Sequence, residues 1–91
     1  KHTKAILFGF KKFQEMDRED RVRACYQHCC LKYVSNQKMA NESLRDRFKI
    51  EAKNSAVVSR IIGDTLKKKL IKYEDPDNIS RKYAKYIPFW V

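Results

Sequence analysis

Residues 41–69 read NESLRDRFKIEAKNSAVVSRIIGDTLKKK, and the reading of this stretch decides the fold. It holds two apolar patterns of helical period. In the first, Leu44 and Phe48 stand four apart, which predicts a brief helix over 42–48 with Asn41 as its N-cap. In the second, Val58, Ile61, Ile62, Thr65 and Leu66 fall on one face, which predicts a longer helix over 53–69. Between them, Lys49-Ile50-Glu51 reads as a tight turn with Ile50 as its one buried anchor. A short helix, a short turn and a longer helix compose a helix-turn-helix unit, whose second helix enters the major groove of DNA.

Upstream, Val22, Tyr26, Cys29 and Tyr33 recur at spacings of three and four, which predicts an amphipathic helix over 17–34. Asp17 suits its N-cap, Glu19 and Asp20 suit its first turn, and Ser35-Asn36 ends it. Downstream, Leu70 to Tyr73 and Arg81 to Ile87 read as extended runs joined by the turn formers Asp75-Pro76-Asp77-Asn78. That is a β-hairpin with a loop longer than the tight two-residue kind. Alternation puts Arg81, Tyr83, Lys85 and Ile87 on one face of the return strand and Lys82, Ala84 and Tyr86 on the other. Tyr86, Ile87, Phe89 and Trp90 are expected to anchor the core, leaving Arg81 and Lys82 near the turn. The fold class expected is mainly α with a small β-hairpin (α+β), a winged helix-turn-helix over 11–91, preceded by an arm or linker over 1–10 that carries the apolar run AILFGF.

The chain has 91 residues, enough for one domain with a modest core. It begins at Lys1 and reads as a piece cut from a longer protein. No apolar run approaches the ~20 residues that span a membrane. The net charge of +10 is spread over every segment rather than held in a tail. A basic folded domain suits a polyanionic partner, with nucleic acid ahead of a membrane surface.

The solvent face of the longer helix fits that partner. At about 100° per residue, Lys53, Ala56, Arg60, Gly63 and Lys67 cluster opposite Val58, Ile62 and Leu66. Small Ala56 and Gly63 let the backbone approach phosphates or base edges, and Arg60 could fork onto guanine O6 and N7. Asn54 and Ser55 fall in the first turn, where helix N-termini meet DNA, and Ser59 lies at the stripe's edge. The candidate DNA-binding residues are therefore Lys53, Asn54, Ser55, Ser59, Arg60 and Lys67 on the helix, with Lys72, Arg81 and Lys82 on the hairpin reaching flanking phosphates. An ordinary solvated helix face would carry the same cations. Gly63 has a second reading too, close packing against the hairpin.

Cys25, His28, Cys29 and Cys30 lie within six residues and invite a zinc reading. Structural zinc sites usually draw four ligands from two separated pairs, and His2 is the only other His or Cys in the chain. The cysteines also share the apolar face of their helix, where reduced Cys behaves as a small hydrophobe. They are read as core, with no metal and no cofactor. Closely spaced and odd in number, they fit reduced thiols of a cytoplasmic protein better than a disulfide framework. No phosphate loop, nucleophile motif or carboxylate pair points to an enzyme.

The runs DRVRACYQHCCLKYVSNQKMANESLRDRF (20–48) and SRIIGDTLKKKLIKYEDPDNISRKYAKYIPFW (59–90) resemble the C-terminal region of a bacterial family. The family comprises RecG-related, ATP-binding transcriptional regulators with an AlbA-like, Schlafen-type domain near the N-terminus, often described as ATP-dependent DNA helicase-related. RACYQHCCLKYV, SRII and SRKYAKYIPFW carry the resemblance most specifically. It implies a winged-helix DNA-binding module for transcription regulation, attached to preceding domains. Nothing in the chain matches a helicase ATPase motif. Two alternatives stand beside double-stranded DNA as partner. One is a protein-interaction or dimerisation module (a homodimer through AILFGF, Leu31 and Phe89-Trp90), and the other, from the tyrosine–cation mixture, is single-stranded nucleic-acid binding.

Overall fold

The computed structural model describes residues 13–77 and 84–91, and the arm over 1–10 with Arg81 and Lys82 lies outside them. Within them are three α-helices and one two-stranded antiparallel sheet, so the fold is mainly α with a small β-hairpin. Helix α1 runs Arg18–Val34, α2 Asn41–Phe48 and α3 Ser55–Lys67, followed by strands β1 Ile71–Tyr73 and β2 Tyr86–Pro88.

Helix α1 starts where the sequence places it: Asp17 Oδ1 accepts from the Asp20 N–H at 2.8 Å. Its buried face is Val22, Ala24, Cys25, His28 and Cys29, with Cys25 and Cys29 fully enclosed. It ends in a Schellman motif, with Asn36 at φ 63° and the Asn36 and Gln37 N–H groups closing back on Tyr33 and Lys32. Helices α2 and α3 end in the same way, with Lys49 at φ 58° and Lys69 at φ 60° in the left-handed position. The Ile50 N–H returns to Arg45 O, and the Leu70 N–H to Thr65 O. A side chain in that conformation is uncommon outside Asn and Asp, but a cation there complements the helix dipole.

The expected N-cap of α2 needs correction. Ala40 occupies the cap, and Asn41 is the first helical residue. Ser43 supplies the missing acceptor, its Oγ taking the Ala40 N–H at 3.0 Å. The third helix also starts later than expected. Ala52–Asn54 forms a 3-10 turn, closed by the Asn54 N–H on Glu51 O, and α-helix begins at Ser55. Such turns commonly lead into α-helices.

Leu44, Phe48, Val58, Ile61, Ile62, Thr65 and Ile71 join the α1 face in one core, and Ile50 and Leu66 pack against it half-buried. In the sheet Ile71 pairs with Pro88, Lys72 with Ile87 and Tyr73 with Tyr86. Beyond it the Glu74 N–H meets Lys85 O at 2.9 Å, so the hairpin loop is long, as expected. One pairing had no sequence signal. Met39 N donates to Tyr86 O at 3.2 Å and Tyr86 N to Met39 O at 2.8 Å, a β-bridge that ties the α1–α2 connection to β2. With Met39 on one edge, β1 on the other and α1 packed across it, β2 buries all three of its residues instead of alternating.

The aromatic tail departs from expectation. Tyr86 and Ile87 are core, but Phe89 and Trp90 are each 50 % exposed. They lie on the outside of α1, with the Phe89 ring 6.2 Å from Tyr26 and the Trp90 ring 5.7 Å from Tyr33. Trp90 Nε1 donates to Tyr26 Oη at 3.0 Å.

Candidate nucleic-acid interface

The outward face of α3 is set by its inward one. Because Val58, Ile61, Ile62 and Thr65 are buried, Ala56, Arg60 and Lys67 are turned to solvent, with Gly63 between them. Arg60 and Lys67 make no hydrogen bond or ion pair among the described residues. Ala56, Ser59, Arg60, Gly63, Asp64 and Lys67 together line an open hollow of about 340 Å³. A Cβ built on Gly63 would meet nothing within 4 Å, so this glycine is not there to admit the hairpin. Of its two readings, close packing is excluded.

The stripe is flanked by two polar ties. On the α2 side, Asn41 Nδ2 donates to Ser59 Oγ at 3.0 Å and to the Ser55 carbonyl at 3.3 Å, while Asn41 Oδ1 accepts from Arg45 Nε at 2.9 Å. Asn41 is itself buried, so the residue expected to cap α2 instead fixes the angle between α2 and α3. On the α1 side, Arg18 donates to Asp64 through Nε at 3.1 Å and Nη2 at 2.8 Å, a two-pronged pair. That guanidinium, with help from Lys67 and Arg60, holds the Asp64 carboxyl below its ordinary pKa, and Asp64 in turn raises that of Arg18.

The expected contact residues thus separate. Ser59, Arg60 and Lys67 share the hollow, although the Ser59 hydroxyl is already engaged by Asn41. Lys53 and Asn54 lie in and beside the 3-10 turn at its N-terminal end, both exposed, rather than inside the helix. Lys53 Nζ approaches Glu51 at 4.0 Å, a loose surface pair. Ser55 is half-buried, its carbonyl taken by Asn41. Lys72 is exposed, but its Nζ donates to the Val91 carbonyl oxygen at 2.6 Å, so it is held against the tail rather than extended from the hairpin. Arg18, Asn41 and Asp64 were missed. Asp64 could have been noticed as the one acid within the basic stripe; its partner lies 46 positions away and had no signal.

The cysteine cluster sits in the core. Cys25 and Cys29 are buried, which pushes both thiols up to about 12, and Cys25 Sγ lies 4.0 Å from Met39 Sδ. His28 is buried beside them, its Nε2 3.1 Å from Ser43 Oγ. Desolvation, reinforced by Lys32 and Arg47, lowers its pKa to about 4. Among the described residues no helix is long and apolar enough to cross a membrane.

Comparison with models of protein families, with curated protein sequences and with solved structures finds no match for this chain.

Proposed function

We propose that this chain is a DNA-binding winged helix, with α3 in the major groove, serving as a module of a cytoplasmic bacterial transcription regulator of the RecG-related kind. The observation that carries the reading is the outer face of α3: two unpaired exposed cations, Arg60 and Lys67, with small Ala56 and Gly63 between them over open space. The order of elements supports it. Helix, bridging residue Met39, helix, turn, helix and hairpin is the arrangement of a helix-turn-helix followed by a wing. Lys53 and Asn54 then meet the backbone where α3 begins, and Arg81 and Lys82 belong to the wing loop.

Fluorescence anisotropy with a labelled duplex, read across a salt series, tests this. Replacing Arg60 and Lys67 together by Ala is expected to lower the log–log salt slope by about 1.8, or ~0.9 per released phosphate. Unchanged affinity in that variant would remove α3 from the interface. Tighter binding of a single strand than of the duplex would favour the single-strand reading instead.

A second reading rests on a different surface. Leu31, Val34, Phe89, Trp90 and Val91 are exposed large apolar side chains, more than an isolated domain of this size needs. They suit a protein-interaction or homodimer contact, either with a second copy or with preceding domains. Sedimentation equilibrium of the intact chain and of Trp90→Ser decides it: a dimer lost in the variant supports the contact, and a monomer in both excludes self-association.

A further inference from the structure

The acid inside the basic stripe calls for a physical account. Asp64 follows Arg60 by one turn and precedes Lys67, where a carboxylate would repel a phosphate backbone. It does not stand free. Arg18, reaching over from the first residue of α1, grips both of its oxygens. The two ends of this pair differ in exposure: the Asp64 side chain is 15 % exposed and that of Arg18 73 %. Asp64 is therefore the fixed end and Arg18 the presented one.

A guanidinium has five N–H groups in a rigid plane. Asp64 takes Nε–H and one hydrogen of Nη2, which leaves the other Nη2 hydrogen and both on Nη1 directed away from the carboxylate. That remaining edge borders a hollow of about 340 Å³ between α1 and α3, lined also by Arg21, Val22, Val57, Arg60 and Ile61. Arg21 is held there by Phe13, its Nη2 donating to the Phe13 carbonyl at 3.1 Å and its guanidinium lying 3.9 Å over the Phe13 ring. Three arginines against one aspartate leave the hollow net positive, and its Arg60–Asp64 ridge is shared with the hollow on the outer face of α3.

We propose that Arg18 is a DNA-contact residue that seats one backbone phosphate beside α3, and that Asp64 is its positioning residue, holding the guanidinium so that its free edge faces the phosphate. The proposal rests on the duplex-binding reading of α3 and adds a second helix to that interface. The acid then has a use in a basic stripe. It gives up one unit of charge and in return removes the freedom of a long side chain before DNA arrives.

Charge alone and positioning predict opposite signs, so the test is direct. Duplex affinity and its salt dependence are measured by anisotropy for wild type, R18K, R18Q, D64N and R18Q/D64N, with thermal melts as a fold control. If charge alone counts, R18K binds like wild type and D64N binds more tightly. If Asp64 positions Arg18, R18K and D64N each weaken binding about two- to tenfold, the range set by one freed side chain. R18Q loses about 0.9 from the salt slope. In the R18Q background D64N no longer weakens binding, since its effect passes through Arg18. Wild-type-like R18K, or tighter binding by D64N, overturns the proposal while leaving the duplex reading intact. Failure of wild type to bind duplex at low salt overturns both.

Discussion

Replacing Gly63 by alanine separates what the helix wants from what its surface is for. Gly63 lies in the interior of α3, where glycine costs about 1 kcal/mol relative to alanine. A Cβ there would touch nothing within 4 Å, and the residue does not have positive φ, so the added methyl meets neither clash nor backbone strain. The whole propensity gain should therefore appear as stability. With an unfolding entropy of about 2.1 cal/mol/K per residue, 91 residues give roughly 190 cal/mol/K, so 1 kcal/mol raises Tm by about 5 °C. On DNA the sign reverses. If the α3 backbone approaches phosphates or base edges at this point, a methyl in the contact costs at least about 1 kcal/mol, or roughly fivefold in affinity. Calorimetry and duplex anisotropy on the same preparation read both effects. A fall in Tm would show that the open face is misjudged. A rise in Tm with unchanged affinity would place the DNA contact elsewhere and leave the glycine without a functional reason.

Asn41→Ala removes three hydrogen bonds at the α2–α3 junction and leaves Ser59 and Arg45 without their partner, so denaturant titration should record a loss of about 2 kcal/mol; a change under about 0.5 kcal/mol would mean the junction is held by packing alone. His28 makes stability depend on pH. Its folded pKa is lowered to about 4, so below about 6.5 the unfolded chain takes up a proton that the native one refuses. The stability is therefore fully present above pH 6.5 and is lost as pH falls towards 4, by on the order of 2–3 kcal/mol, and His28→Gln should flatten that part of the profile. An unchanged profile in the variant would assign the pH dependence to carboxylates.

What the sequence disclosed was periodic or local. The inward faces of α1 and α3 are legible because Val22, Cys25 and Cys29, or Val58, Ile61, Ile62 and Thr65, repeat with the helix. The cap at Asp17 is legible because side chain and N–H lie three residues apart. Asn41 was misread because one side chain can serve a cap or a long-range bridge, and only the position of Ser59 decides between them. The Met39–Tyr86 bridge is a single residue pair and has no period to detect. Phe89 and Trp90 were placed in the core on hydrophobicity, but β2 is already covered by α1, Met39 and β1, so the rings continue along the outside of α1.

Two positions on α3 break a local rule: a glycine in a helix interior and an acid in a cationic stripe. Stability accounts for neither. The glycine admits no neighbour, and so spends helix propensity without improving packing. The acid forms an ion pair whose arginine is largely in water, and exposed pairs contribute about 0–1 kcal/mol. A purely structural stripe would do better with alanine at one site and would lose little with glutamine at the other. Local inconsistencies of this kind gather where a surface serves something outside the chain. Here they are adjacent in sequence, on the face of α3 that carries Arg60 and Lys67. Gly63 leaves room for a partner's backbone, and Asp64 aims a third cation at its edge. The same polyanion satisfies both, which is why duplex DNA is preferred over a protein partner for this face, while the apolar tail on α1 is left for protein contacts.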